Sequence, residues 1–251
     1  MTADPVAGWL AALDERHLAD LTPSEVSRAL RALSSCYVER RARLAAGGAL
    51  ESAGKRAAFA LFYAPLHFAV VREVVRALPG ALDRLRQITD IGCGTGAAGV
   101  AWALEAKAGV AGIDRHPWAV AEANWTYRTL GVRGRAVQRD VARAPVPSAT
   151  AGSAVLAAYT ANELTDAGRV VLLSYIRDAS QRGARVLVVE PISRRTSPWW
   201  KEWEADVLSW GGRADEWRFP ASLGVRQQSL ARAAGLDPRE LTARTFYLPG
   251  K

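Results

Sequence analysis

The chain has 251 residues, 49% hydrophobic and 23% charged, which suffices for one large domain or for a core domain plus an extension. No run of eighteen apolar residues occurs, the first twenty-one residues carry Asp4, Asp14, Glu15 and Asp20, and Cys36 and Cys93 are the only cysteines; this argues against a spanning helix, a signal peptide, a disulfide framework and a four-cysteine metal centre. The net charge of +8 and the pI of about 10.0 leave a nucleic-acid partner open, although Arg far outnumbers Lys, as a GC-rich genome also produces.

The expected compartment is the cytoplasm, since the cysteine usage suits a reducing environment. Residues 1–84 are expected to form a helical N-terminal extension. Thr22-Pro23-Ser24-Glu25 has the pattern of a capping box with proline at the first helical position. Apolar residues then recur at helical spacing through Val26, Leu30, Leu33, Tyr37 and Leu44 until Gly47-Gly48. A second helical stretch covers Ala53–Leu78, with Pro65 able to kink or divide it.

From Leu85 the texture changes. Strand-like runs at Gln87–Ile91, Gly109–Ile113, Ala136–Arg139, Ala154–Tyr159 and Arg185–Val189 alternate with helical segments, and Leu241–Leu248 offers a last strand. Such alternation predicts an α/β domain over 85–251, a mostly parallel sheet with helices on both faces. Ser193–Phe219 stands apart. It interleaves Arg194, Arg195, Lys201, Arg213 and Arg218 with Trp199, Trp200, Trp203, Trp210 and Trp217. It reads as a lid or insertion over the sheet, or as a surface that stacks bases and binds phosphates.

Asp90-Ile91-Gly92-Cys93-Gly94-Thr95-Gly96 follows the first strand and opens a helix. Glycines there allow a tight turn and close approach of backbone to a ligand. Gly94, Gly96 and Gly99 also fit the dinucleotide spacing. A carboxylate at Asp90 would repel a pyrophosphate and suits a cationic ligand better. Asp114 ends the second strand, where a carboxylate can accept two ribose hydroxyls, and Arg115 follows it. Asp140 ends the third strand, and it or the backbone at Val141 can meet an adenine amino group.

These residues resemble the successive cofactor motifs of class I, Rossmann-like S-adenosylmethionine-dependent methyltransferases. That resemblance implies a seven-stranded sheet and a donor site formed by Asp90, Gly92, Cys93, Gly94, Gly96, Asp114, Arg115, Asp140, Val141 and Tyr159. A narrower resemblance rests on Phe62–Phe68, Tyr159–Asp166 and Val189-Glu190-Pro191, which are similar to the ribosomal small-subunit methyltransferase-like family. Members of that family are tied to ribosome assembly, and many carry a cysteine cluster that this chain lacks.

The segment Tyr159–Glu163 leaves the fourth strand where a methyl acceptor would lie. Tyr159, Asn162 and Glu163 are candidates for orienting it, with helix capping as the alternative for the last two. Glu190-Pro191 could line the pocket or form a turn. No cysteine near the fourth strand supports an adduct mechanism. His17, His67 and His116 have no ligand spacing, so no metal is expected, and His67 suits a core position. The leading expectation is RNA methylation, with ribosomal small-subunit RNA as acceptor. A small-molecule methyltransferase and a non-catalytic, cofactor-binding assembly factor are the alternatives.

Overall fold

The computed structural model describes residues 4–39, 50–142, 146–193, 197–236 and 239–250. It divides into two compact units. One comprises 1–67 with 220–241, the other 68–219 with 242–251. The change of texture at 84/85 marks where strands begin, whereas the units divide earlier and the first recruits a segment from late in the chain.

The first unit is helical. Helix α1 spans Pro5–His17 and α2 spans Pro23–Glu39. The capping box forms reciprocally. Glu25 accepts from the Thr22 backbone N–H at 2.8 Å, and Thr22 Oγ1 accepts from the Glu25 N–H at 3.3 Å. Val26, Leu30 and Leu33 are buried at the expected spacing. Leu44, Gly47 and Gly48 lie outside the described residues, as does the Tyr37 side chain.

The second helical stretch is divided into α3 at Ala53–Ala58, one π turn at Phe59–Tyr63, and α4 at Ala64–Ala77. Pro65 explains the irregularity. It has no N–H to give the Leu61 carbonyl four residues back, and Ala64 N–H bonds five residues back to Phe59. Leu61 O instead accepts from Gln227 Nε2 at 3.2 Å, where Gln227 is buried on α9 (Val225–Ala233). By length and composition Ala53–Ala77 could cross a bilayer, but 61% of its apolar window is buried within the protein, as in a core helix.

His67, with its ring centroid 6.0 Å from those of Phe59 and Tyr63, is a packed histidine. Loss of hydration pushes its imidazole down to about 3.

The second unit carries the sheet, with strands β1 Gln87–Ile91, β2 Gly109–Asp114, β3 Gly134–Gln138, β4 Ser153–Ala158, β5 Arg185–Glu190, β6 Arg213–Pro220 and β7 Glu240–Leu248. Their order is β3-β2-β1-β4-β5-β7-β6. Pairings from β3 to β5 are parallel, and β7 runs antiparallel to β5. The crossovers are α5 Ala97–Ala106, α6 Pro117–Thr129, α7 Asp166–Gln181 and α8 Trp200–Ser209. The mostly parallel sheet expected from the alternation is present, with the seven strands that the resemblance to Rossmann-like methyltransferases implied.

Ser193–Phe219 corrects the expectation of a lid or insertion. Its described part builds α8 and β6, regular members of the fold. Trp199, Trp200 and Trp203 are buried in one cluster with Val186, Val188, Phe246 and Leu248. Trp200 stacks on Phe246 with centroids 3.7 Å apart. Trp217 Nε1 donates to Thr245 Oγ1 at 2.8 Å. These indoles are packed side chains, and base stacking by Trp199 or Trp200 is incompatible with their burial. Arg194 and Arg195 lie outside the described residues.

Candidate active site

The glycine turn is tied at both ends. Gly92 and Cys93 N–H both bond to Ile113 O of β2, at 2.8 and 3.0 Å. Gly92, Gly94 and Gly96 all have positive φ, at 66°, 52° and 77°. At Gly92 there is also no room, since a Cβ would sit 2.4 Å from Thr160 Oγ1. That hydroxyl donates to Ile91 O at 2.9 Å and so joins the end of β4 to the turn.

Asp114 stands beside the turn, half-buried. Its Oδ2 accepts from Gly94 N–H at 2.9 Å and its Oδ1 from His116 N–H at 2.8 Å. Each carboxylate oxygen has two lone pairs, so one on each remains for a vicinal diol. His116 caps α6, with its Nδ1 accepting from Trp118 N–H at 3.2 Å. Arg115 is exposed. Asp140 and Val141 are half-buried after β3, and Asp140 Oδ1 turns the chain by accepting from Ala142 N–H at 2.9 Å. Cys93 is buried, and burial pushes its thiol well above the usual range; the Cys36 side chain is outside the described residues.

Asp90 behaves differently from the sequence expectation. It is 1% exposed, and its Oδ2 accepts from Gly99 N–H of α5 at 3.1 Å. A Cβ on Gly99 would meet that oxygen at 2.5 Å, which is why helix and strand can close here. Burial pushes the Asp90 carboxyl up to about 8, against the Gly99 bond that favours its charge. At neutral pH the group is mostly protonated. The argument that its charge repels a pyrophosphate therefore fails. Asp90 supports the turn from behind.

The second wall follows β4. The strand was expected to reach Tyr159 but stops at Ala158, because Tyr159 takes φ +58° while its N–H bonds to Val189 O at 2.7 Å. A left-handed tyrosine is uncommon, and such strain concentrates where function needs it. Burial raises its phenol, and the neighbouring Glu190 adds to this. Ala161–Glu163 forms a 3₁₀ turn. Arg169 Nη1 holds that turn through Leu164 O at 2.5 Å and Ala161 O at 3.3 Å.

Capping is not the role of Asn162 or Glu163. The cap of α7 is Thr165, whose hydroxyl accepts from Gly168 N–H at 3.2 Å. Asn162 is a hub instead. Its Nδ2 donates to Glu190 Oε2 at 2.6 Å, its backbone N–H donates to Glu190 Oε1 at 3.2 Å, and its Oδ1 accepts from Trp199 Nε1 at 3.0 Å. Glu190 is fully buried and pushed up to about 8, first by desolvation, with the Asn162 N–H opposing and Glu163 adding like charge. The structure thus brings Tyr159, Asn162 and Glu163 together and adds Glu190, Thr160, Arg169 and Trp199. Glu190 had a signal in the sequence, for it ends β5 as Asp114 ends β2. Arg169 had none, and Trp199 stood out only as one of the tryptophans of Ser193–Phe219.

Replacing Asn162 by Ala removes the side-chain partner of Glu190 Oε2 and of the Trp199 indole N–H, while the backbone bond to Glu190 Oε1 survives. An unmade buried bond costs ~1–3 kcal/mol, so Asn162→Ala is expected to lower the thermal midpoint. An unchanged midpoint would show that the hub carries no stability.

No grouping of three or more His, Cys, Asp or Glu able to hold a metal exists among the described residues.

Residues 88–183 match a family profile described as a methyltransferase domain. A search of curated proteins returns no match. Among solved structures, the mitomycin 7-O-methyltransferase MmcR is similar with a TM-score of 0.54 at 14% identity, over 99% of this chain and 74% of that one. A TehB-like S-adenosylmethionine-dependent methyltransferase from Corynebacterium glutamicum gives 0.45 at 19% identity, over 88% and 99%. A geranyl diphosphate C-methyltransferase from Streptomyces coelicolor A3(2) gives 0.48 at 11% identity, over 73% and 80%. The glycine turn and the Asp114 carboxylate, with its two spare lone pairs, fit the adenosyl part of the donor that such domains use. Residues 88–183 thus match a methyltransferase domain, and the sheet that carries them has the Rossmann-like fold.

Proposed function

We propose that this enzyme methylates a small organic acceptor held against Tyr159–Glu163. The burial of Trp199, Trp200 and Trp203 carries this reading, because it removes the aromatic surface on which an RNA acceptor would have stacked. The donor supplies a methyl group on a sulfonium, already activated toward attack. Asp114 would accept the ribose hydroxyls, the Gly92–Gly96 turn would hold the donor, and Asp140 with Val141 would meet the adenine, with Arg115 on the exposed side.

The rest of the work is alignment and exclusion of water. Tyr159 is locked by its bond to Val189, and Asn162 by Glu190 and Trp199, so the acceptor wall is rigid before anything binds. Glu163 stands on the same turn and offers a carboxylate for an acceptor proton. Asp114→Ala is expected to weaken donor binding by ~1.5–3 kcal/mol in calorimetry, the range for hydrogen bonds to a charged group. Tight NAD binding with no response to S-adenosylmethionine would refute the donor assignment.

A second reading keeps RNA as acceptor. It is favoured by the net charge of +8 and by the resemblance to the ribosomal small-subunit methyltransferase-like family. It places the enzyme in the cytoplasm, on the small ribosomal subunit or an assembly intermediate. Transfer of labelled methyl groups decides between them. Label is expected in a metabolite extract, while label confined to ribosomal subunits would establish the RNA reading. Donor binding with no transfer to either would favour a non-catalytic assembly factor.

A further inference from the structure

Beyond β5, helix α8 covers β7 and β6, and between them lies a cavity of about 460 Å³. Ser197, Trp200, Lys201 and Arg244 line it, together with Glu204 and Glu216. Asp215 is also on the wall, with its carboxylate engaged by Arg213 at 2.6 and 2.7 Å.

Three independent observations at one end of this cavity point to an anion. Ser197 is 2% exposed, yet its Oγ meets no hydrogen-bond partner among the described residues. A buried hydroxyl left unmatched costs stability unless a ligand or water completes it. The ten-residue helix α8 begins there, and no side chain caps it. The Trp200 N–H is taken by Ser197 O at 3.2 Å, and the next amides of the first turn and the helix dipole present partial positive charge. Arg244, 4% exposed, holds its guanidinium 4.2 Å from the Trp200 ring centroid, and Trp200 is fixed in turn on Phe246. Lys201 adds a second positive charge from the first turn of α8.

We propose that this cavity binds the carboxylate or phosphate of a small organic ligand, with Ser197 Oγ and the α8 amides as donors and Lys201 and Arg244 as counter-charges. Glu204 and Glu216 require that the rest of the ligand donate hydrogen bonds, as an amine or a hydroxylated chain does. The same two acids repel a polyanion, so a nucleic-acid backbone does not fit.

Its position suggests what the ligand is. Arg244 lies opposite Glu190, the last residue of β5, and Trp199, two residues from Ser197, bonds to Asn162 after β4. The cavity therefore adjoins the acceptor wall. From β1, which carries the glycine turn, to β7 is three strand spacings, ~14 Å at ~4.8 Å each. A ligand of that reach, anchored here, places its other end at the methyl group. The identity of ligand and acceptor rests on the methyltransferase reading; anion binding does not.

Crystals of the full chain soaked in sodium selenate test the site, since selenium is located by its anomalous signal. A peak is expected in the cavity within hydrogen-bond distance of Ser197 Oγ. Ser197→Ala combined with Lys201→Ala is expected to reduce its occupancy at least fivefold. Displacement by acetate identifies a carboxylate site, and displacement by inorganic phosphate alone a phosphate site. No peak in the cavity, or a peak that the double variant leaves unchanged, overturns the proposal. Calorimetry with S-adenosylmethionine on the same protein is read separately. Donor binding without selenate binding ends this proposal, and selenate binding without donor binding ends the methyltransferase reading.

Discussion

Between pH 4.5 and 8 the protein is expected to lose stability as pH rises. Asp90 and Glu190 are both pushed up to about 8 by burial. In the unfolded chain such groups titrate near ~3.9 and ~4.3. Across this window the folded state therefore holds two protons that the unfolded state has released. Stability must then fall with rising pH, by up to ~1.4 kcal/mol per pH unit for each group, and level off above about 8. The contribution is complete below ~pH 4 and lost once pH passes the folded value. His67, pushed down to about 3 by burial, acts in the opposite direction up to ~pH 6.5, so the net fall is that of about one group below ~pH 6.5 and of two above it. Glu25, held below the usual range by its bonds to Thr22, also opposes it, only in more acid solution. Urea midpoints measured from pH 4.5 to 8.5 read the slope directly. Asp90→Asn and Glu190→Gln are each expected to remove one share of it. A flat wild-type profile would mean that both carboxyls are ionised in the fold.

Trp200→Ala is expected to cost ~3–5 kcal/mol, the range for deleting a large buried aromatic side chain. Trp200 is 6% exposed and packed between Phe246 and Arg244. The thermal midpoint should fall by ~10 °C or more. The salt dependence of any RNA binding should stay as in the wild type. A variant of unchanged stability that has lost RNA affinity would restore the indoles to a nucleic-acid surface.

The alternation from Gln87 to Val189 was legible because parallel strands buried on both faces leave short apolar runs. The glycine turn was legible because glycine adopts positive φ without the strain that a side chain brings. β6 was not. Arg213–Pro220 reads Arg-Ala-Asp-Glu-Trp-Arg-Phe-Pro, charged on its open face, and its half-buried aromatics resemble any amphipathic surface. The tryptophans before it were visible as a cluster, but whether indoles pack inward or present outward depends on β7, which pairs from far along the chain. Within the site, the strand-end acids could be located by position alone. Their protonation could not, since it depends on burial. Asp90 lies behind the turn, where burial disfavours the charge that the sequence alone assigns to it. Asn162 was found, but its partners Glu190 and Trp199 are 28 and 37 residues away and meet it only in the fold.

The sheet order has a consequence for synthesis. β7 is made after β5 and β6, yet it lies between them. While the nascent chain ends before Glu240, β5 has a bare edge and β6 has no neighbour on that side. Both then expose backbone groups that invite pairing with other chains. The carbonyl left open by Pro65 waits likewise, because Gln227 is made more than 160 residues after Leu61. Neither unit can close until its late-made segment arrives. A growing chain stalled in the interval is one that a chaperone must shield.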